Sequence, residues 1–476
     1  MSLSPASPRT ALDVACLRQE IVGLEHKVPL LDGSWDFYVN LDNAASTPPF
    51  RLVKEKVDEL MQVYSSVHRG TGYKSLLSTH LYDQAREVVA RFVGADPAEQ
   101  AVIFGKNTSE AINKLAHRFD FQPGDLVLTT VMEHHSNDLP WRAHAGTLHA
   151  GVLPDGSLDL EDLRSKLEQH RDRIRLLAVT GASNVSGYLP PIYDLAELAH
   201  ASGVPILVDC AQLLPHRQVR MGPAGGARSL DFIALSAHKV YAPFGTGALI
   251  GPRAFFERGA PEYRGGGTID LVTLDEVQWS APPERDEAGS PNVIGAVALA
   301  VSLELLSRVG MEAVAAHEAE LTRYALQRLR ALPFIELYGL TDPQRVEDRL
   351  GVIPFQVRGV DHSLAAAVLG FEGGIGVRNG CFCAHPYVLR LLDVPEPEFL
   401  AYRERVLSGD RSGLPGLIRA SFGCYNSTGD VDRLVEWLGR IARREYAGDY
   451  VLDRPSGAYY PRGFSLEQMG SHFSLA

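Results

Sequence analysis

The sequence predicts an α/β fold, with a mostly parallel central sheet covered by helices on both faces and a smaller α+β C-terminal domain. Three observations predict it. From residue 41 to about 251, short apolar runs alternate with helix-like stretches, the order that builds a parallel sheet between helical layers. Several of those runs stop at a polar or glycine-containing turn, and ligands of such sheets gather at the carboxyl ends of the strands. Beyond residue 293, two helical stretches lead into a second, separate group of short strands.

Taken in order, residues 1–40 read as a lead-in with one amphipathic stretch at 11–24. Residues 101–104, 126–130, 176–180, 206–208, 232–235 and 248–250 read as buried strands, because each is a short apolar run. Residues 109–117, 158–171 and 192–201 read as helices between them. The stretch 261–291 is rich in Gly and Pro and reads as irregular. The Ala and Leu content of 293–306 suits a connecting helix, and 314–332 reads as another. Strands follow near 335–338 and 352–357, and 430–444 is the last helix. The tail, 445–476, is aromatic with Gly and Pro. The expected organisation is an N-terminal segment (1–40) packing on the small domain, a large domain (41–292), a small domain (293–444) and a C-terminal extension (445–476).

The chain has 476 residues, 45% of them hydrophobic and 22% charged, enough to build a large core. A formal net charge of -12 argues against nucleic acid as a partner, which would want a basic face. No apolar run approaches a membrane span, and the polar first ten residues lack an apolar signal core. A cytoplasmic location is therefore expected, with no membrane partner. Five scattered cysteines are no disulfide framework. Cys381 and Cys383 lack the spacing of a zinc site, and the neighbouring His134 and His135 point apart with no third ligand, so no metal is expected.

Lys239 is the most informative residue. It lies in Ser236-Ala237-His238-Lys239, after an apolar run and before a turn rich in Gly and Pro. That pattern reads as a strand delivering an amine into a cleft. Such an amine can form a Schiff base with an aldehyde, and pyridoxal phosphate is the aldehyde proteins most often recruit. A surface lysine is the plain alternative, and the other groups such a cofactor needs decide against it. Asp209 ends a strand, where a buried carboxylate would keep a pyridine nitrogen protonated, and Gln212 can reach the phenolic oxygen. Thr108 and Ser109 open a helix after a strand, a ready phosphate site. His134 follows another strand end, where an imidazole can lie on the ring and carry protons near neutral pH. Asn184, at a further strand end, can hold the phenolic oxygen or a substrate carboxylate. Arg419 is a lone arginine in an apolar strand, costly unless it meets an anion. A carboxylate clamp would satisfy it, and so would a structural ion pair.

With these residues in hand, the chain resembles fold-type I pyridoxal phosphate enzymes of the class V aminotransferase superfamily, most of all the cysteine desulfurase and selenocysteine lyase group. The likeness runs from about residue 41 to 438. It rests on ordered motifs that include Leu41-Asp42-Asn43-Ala44-Ala45-Ser46, His68-Arg69-Gly70, Met132-Glu133-His134-His135, Ser236-Ala237-His238-Lys239, Arg264-Gly265-Gly266-Gly267-Thr268 and Arg378-Asn379-Gly380-Cys381-Phe382-Cys383-Ala384. The resemblance implies that 41–292 is the domain that binds pyridoxal 5'-phosphate. It implies that Lys239 carries the cofactor and shuttles the α-proton, that His134 stacks on its ring and works in acid–base steps, and that Asp209 and Gln212 grip the ring. Thr108, Ser109, Ser236 and His238 would hold the phosphate, joined by Thr268 from a partner subunit, which implies a homodimer with shared active sites. Ala45, Arg69, Asn184 and Arg419 would hold the substrate.

The resemblance also singles out Cys383, placed where desulfurases carry the cysteine that takes sulfur from L-cysteine as a persulfide and leaves L-alanine. A sulfur-acceptor protein is then an expected partner. The alternative is a carbon–sulfur lyase or aminotransferase-like enzyme on another amino acid, with Cys383 a bystander. A third reading is a scaffold that has lost the cofactor, which the presence of both Lys239 and Asp209 opposes. The loop departs from the group's pattern: Cys381 and Phe382 stand where two histidines are usual, a Cys-Phe-Cys spacing similar to the desulfurase-like domain of molybdenum cofactor sulfurases. The segment 388–416 is longer than most desulfurases carry, and the tail beyond Arg444 is extra.

Overall fold

The computed structural model describes residues 13–68, 70–467 and 473. A seven-stranded sheet forms its centre. In chain order the strands are β1 (Gln100–Gly105), β2 (Leu126–Thr130), β3 (Gly146–Ala150), β4 (Ile174–Thr180), β5 (Ile206–Asp209), β6 (Phe232–Ser236) and β7 (Gly247–Pro252). Across the sheet they lie β1-β7-β6-β5-β4-β2-β3. All neighbouring pairs are parallel except those of β7, which runs antiparallel to both β1 and β6.

Strand residues alternate between two cores, as the two-residue period of a strand demands. On one face Val102, Phe104, Leu126, Leu128, Leu177 and Val179 join the larger cluster. On the other face Ala101, Ile103, Val127, Leu176 and Ala178 pack with Trp141 and Phe256. Both faces are covered, which explains the unbroken apolar runs that made these strands legible.

A second sheet is built from β8 (Ile335–Leu337), β9 (Val352–Val357), β10 (Arg378–Gly380) and β11 (Leu417–Ser421). Its order is β8-β9-β11-β10, all antiparallel. Ile353, Phe355, Ile418 and Ala420 enter a separate core with Leu326, Leu329, Leu434 and Leu438 from the helices Met311–Arg330 and Thr428–Ala442. The N-terminal stretch touches both bodies. Leu17 and Ile21 lie in the larger core, while Arg18 reaches the Tyr425 carbonyl (2.8 Å) and Asp430 (3.3 Å), and Val39–Asn40 pair in parallel with Ile375–Gly376.

The structure adds elements to the sequence reading. Edge strand β3 was not expected. Ile269–Val272 and Val277–Trp279 form a hairpin inside the stretch that reads as irregular. The tail carries another hairpin, Tyr450–Asp453 with Ala458–Pro461. No single described helix is long and apolar enough to cross a membrane. The bent pair Val293–Val309 and Met311–Arg330 passes that test only jointly, and its apolar residues are largely buried in the protein core.

One buried carboxylate ties the two bodies together. Glu318, on the helix Met311–Arg330, accepts from the Gly351 backbone at 2.8 Å and pairs with His216 (3.0 Å) and Arg217 (2.5 Å). Burial alone would raise its pKa; His216 and Arg217 override that and hold it at about 2. Removing one partner of a buried ionic cluster leaves the rest uncompensated, a loss of about 3–5 kcal/mol. Glu318→Ala is therefore expected to lower the urea midpoint by that equivalent. Because the folded pKa is depressed, this stabilisation is present above the ordinary glutamate range and lost as pH falls toward 2. Unchanged midpoints at neutral pH would contradict the role.

Candidate active site

The carboxyl ends of β1, β2, β4, β5 and β6 lie along one edge of the central sheet, and the chain leaving each end delivers polar side chains into a single cavity of about 250 Å³. From β1 come Asn107, Thr108 and Ser109, from β2 His134 and Ser136, from β4 Asn184, from β5 Asp209 and Gln212, and from β6 Ser236, His238 and Lys239. The second sheet closes the other side with Arg378, Phe382, Cys383 and Arg419, and Ala44 and Ala45 complete the wall. Thus all but two of the expected site residues line one space. Arg69 lies outside the described residues. Thr268 stands outside the lining, with its hydroxyl donating to the Gly265 carbonyl at 2.7 Å.

Ala45 reaches the cavity because the 41–45 backbone is pinned to β11. Leu41 bonds Gly376 and Ser421, and the Ala44 N–H donates to the Ser421 hydroxyl at 2.9 Å. Gln212 is oriented by donating to the Ala44 carbonyl at 2.6 Å.

One end of the cavity is an anion cradle. Asn107 caps the helix Thr108–Arg118, its side chain accepting from the Glu110 N–H. The hydroxyls of Thr108 and Ser236 are 2.7 Å apart, and those of Ser109 and Ser136 are 2.5 Å apart. Hydroxyls set at the positive end of a helix favour a phosphate. Gly247 is required here: a Cβ would come within 2.6 Å of the Asn107 backbone.

In the middle stand Asp209, which is buried, and Lys239, which is half-buried and faces into the cavity. Burial pushes the Asp209 carboxyl up, partly offset by a 2.9 Å bond from the Ala211 N–H and by the lysine charge. Burial lowers Lys239 to about 8, against the pull of Asp209. A neutral amine is the nucleophile that condenses with an aldehyde, and a buried carboxylate is the group a pyridinium would neutralise. Pyridoxal phosphate thus fits the donor set: Lys239 for the aldehyde, Asp209 for the ring nitrogen, the Thr108–Ser236 cradle for the phosphate. The rate at which apo-protein takes up added pyridoxal phosphate, followed by absorbance, is expected to rise as pH is raised through about 8. A rate indifferent to pH across that range would exclude Lys239 as the condensing amine.

His134 is held at about 3, first by burial and then by the Lys239 charge. Its Nδ1 accepts from the Ser136 N–H at 3.1 Å, so the neutral ring keeps its proton on Nε2. His238 is lowered to about 4 for the same two reasons. Below His134, the buried Glu133 accepts from the Thr130 hydroxyl, the Asn137 side chain and the Thr180 N–H. Burial raises it to about 8. It joins the ends of β2 and β4 and sets the direction in which His134 leaves.

Arg419 is nearly fully buried. Its Nη atoms reach the Asn184 carbonyl and Asp42, both at 2.8 Å, while Nε has no acceptor. Ion pair and clamp therefore coexist: Asp42 anchors the guanidinium and one buried donor remains open. Arg378 lies 3.9 Å from the same Asp42.

Cys383 is exposed, and both it and Phe382 take left-handed backbone conformations (φ 55° and 52°). Asn184 donates to the Phe382 carbonyl at 2.7 Å, and the His135 N–H to the Cys383 carbonyl at 2.7 Å. The ring of His135 stacks on that of His385, with centroids 4.9 Å apart. Cys381 is a different kind of thiol: burial raises it to about 11, and its S–H donates to the Pro415 carbonyl at 3.3 Å. Among the described residues no cluster of three or more His, Cys, Asp or Glu could hold a metal.

Sequence reasoning missed Ser136, Glu133, Asp42, Arg378 and Phe382. All but Ser136, which directly follows one, sit inside the ordered motifs, but each meets at least one partner from a distant segment, so spacing carried no signal.

The aminotransferase class-V family model matches residues 39–434. A cysteine desulfurase of Dickeya dadantii is 36% identical over 413 residues, 85% of this chain and 92% of that protein. A probable cysteine desulfurase of Halalkalibacterium halodurans is 35% identical, covering 86% and 94%. Among solved structures, the apo cysteine desulfurase of Thermococcus onnurineus is similar with a TM-score of 0.74 at 31% identity, covering 86% of this chain and 95% of that one. The cysteine desulfurase CsdA of Escherichia coli, in an S-sulfonic acid form, gives 0.74 at 27%, covering 92% and 100%.

Proposed function

The chain belongs to the aminotransferase class-V family, and from that premise we propose that it is a pyridoxal phosphate-dependent cysteine desulfurase, taking sulfur from L-cysteine onto Cys383 and releasing L-alanine. The observation that carries the reading is an exposed cysteine lining the same cavity as the Lys239–Asp209 pair.

Lys239, Asp209, Gln212 and the hydroxyls of Thr108, Ser109 and Ser236 would hold the cofactor, with His238 beside them. When bound, pyridoxal phosphate supplies an electron sink for the pair released at the substrate's α-carbon. The chain's own groups do the rest. Lys239, whose ammonium burial makes easier to deprotonate, accepts the α-proton in its neutral form. His134 presents an Nε2–H, not a charge, and so orients without competing for the proton. Arg419, held by Asp42 and Asn184, offers its open Nε to the substrate carboxylate. The Cys383 thiolate attacks the substrate Sγ. An S–S bond forms, the Cβ–Sγ bond breaks, and its electron pair stays on Cβ, which is protonated to the methyl group of alanine. Cys381, kept protonated by burial, does not compete as nucleophile.

Partner copies are part of the proposal. The 269–279 hairpin leaves Leu271, Val272, Leu274 and Val277 exposed, an apolar patch of the kind that marks an interface. Thr268 at its base supports a shared phosphate site in a homodimer. A sulfur-acceptor protein is the proposed destination of the persulfide. The test is a substrate panel of cysteine, selenocysteine, cysteine sulfinate and thioether conjugates, with alanine, pyruvate and sulfide all measured. Alanine in step with sulfane sulfur from cysteine supports the reading; pyruvate as the product would replace it with a carbon–sulfur lyase.

A further inference from the structure

The stretch beyond residue 434 lies outside the family match, yet its hairpin is bonded, step by step, to the loop that carries Cys383. The hairpin is seated first. The Glu372 carboxylate accepts from the Ala447 and Gly448 N–H groups at 2.9 Å and from the Tyr450 hydroxyl at 3.0 Å. The Phe464 ring packs on Phe371, centroids 5.1 Å apart. So fixed, the hairpin grips Arg411, whose N–H donates to the Arg454 carbonyl at 2.8 Å. The Arg454 side chain adds a 3.2 Å contact with Asp410. Gly457, at φ +73°, allows the closest approach: a Cβ there would lie 2.6 Å from the Arg411 carbonyl oxygen.

From Arg411 the chain runs four residues to Pro415. His362 holds the Leu414 carbonyl at 3.1 Å, and Gln356 donates to Gly416 at 3.0 Å. The Pro415 carbonyl is the acceptor for Cys381, two residues before Cys383. The large body anchors the same loop through Asn184 and His135. The loop is therefore slung between the cofactor-side wall and a strut whose outer end is the C-terminal hairpin.

We propose that the C-terminal hairpin positions the nucleophile: by gripping Arg411 it fixes the 411–415 strut, and through the Pro415–Cys381 bond it limits how far Cys383 swings. This rests on the reading of Cys383 as the reacting thiol. Hairpin and strut are positioning elements, since neither lines the cavity.

The test uses full-length holoenzyme and three variants. Gly457→Ala drives a methyl group into Arg411. Gly463→Ala carries the same left-handed strain (φ +79°) in the same tail, but its Cβ meets open space. Cys381→Ala cuts the strut at its inner end. Iodoacetamide labelling of Cys383, resolved from Cys381 by peptide fragmentation, is expected to rise about 10-fold in Gly457→Ala and Cys381→Ala, the change given by roughly 1.4 kcal/mol of lost local stability. It is expected to stay at the parent rate in Gly463→Ala. Alanine formation should fall in kcat with KM for cysteine unchanged, because the substrate contacts are intact. Equal labelling of Gly457→Ala and Gly463→Ala overturns the proposal. Raised labelling in a protein that makes no alanine supports the strut and removes the desulfurase reading instead.

Discussion

Replacing Lys239 by alanine is expected to stop turnover, lowering alanine release from cysteine by about 10⁴-fold or more, the upper range of what a positioned proton-transfer group contributes. The amine has two tasks, bonding the cofactor aldehyde and carrying the α-proton, and no described neighbour replaces it. His134 is the nearest candidate, but burial and the lysine charge hold it at about 3, so it is a poor proton acceptor near neutrality. The fold should survive. A half-buried amine whose pKa has been driven down to about 8 is a cost to the native state, so its removal leaves stability level or raised. Absorbance of the bound cofactor, alanine release and the thermal midpoint settle the matter together. A variant that keeps more than about a tenth of parental kcat, a loss of under about 1.4 kcal/mol, would remove Lys239 from the chemistry.

Cys383→Ser is the second large effect and the one that divides the two enzyme readings. A hydroxyl of similar size keeps the left-handed loop and its carbonyl bonds, but is far less nucleophilic toward sulfur than a thiolate. Protein-bound sulfane sulfur should vanish, and alanine formation should fall by at least about 10³-fold. Exchange of the substrate α-proton with solvent, which needs Lys239 and not Cys383, should persist. Loss of both would mean the variant no longer binds substrate correctly. Retention of alanine formation would make Cys383 a bystander and hand the site to the alternative activity.

Much of the central sheet was legible because burial on both faces writes continuous apolar runs. Leu126–Thr130 and Ile192–Ala201 were read to the residue. Gly146–Ala150 was not, since an edge strand with half-buried residues and a leading glycine carries neither an apolar run nor alternation. The reversed direction of β7 left no trace either, because strand sense depends on the connection and not on composition. The hairpin at 269–279 was hidden by its exposed leucines and valines, which earn their place only against a further surface. Among site residues, Lys239 and Asp209 stood out because a charge closing an apolar run is unusual. Ser136 did not, because its partner Ser109 comes from another strand end. Asp42 was unreadable for the same reason: its meaning is Arg419, 377 residues away.

The loop around Cys383 places two consecutive side chains in a backbone region that ordinary residues avoid, at roughly 1–3 kcal/mol each. Glycine at Phe382 would relax part of that tension, yet the ring it removes sits 4.9 Å above the Arg419 guanidinium. Robustness and catalytic competence therefore pull this segment in opposite directions. A lineage selected only for heat tolerance would be drawn toward a slacker, blunter enzyme at this one bend.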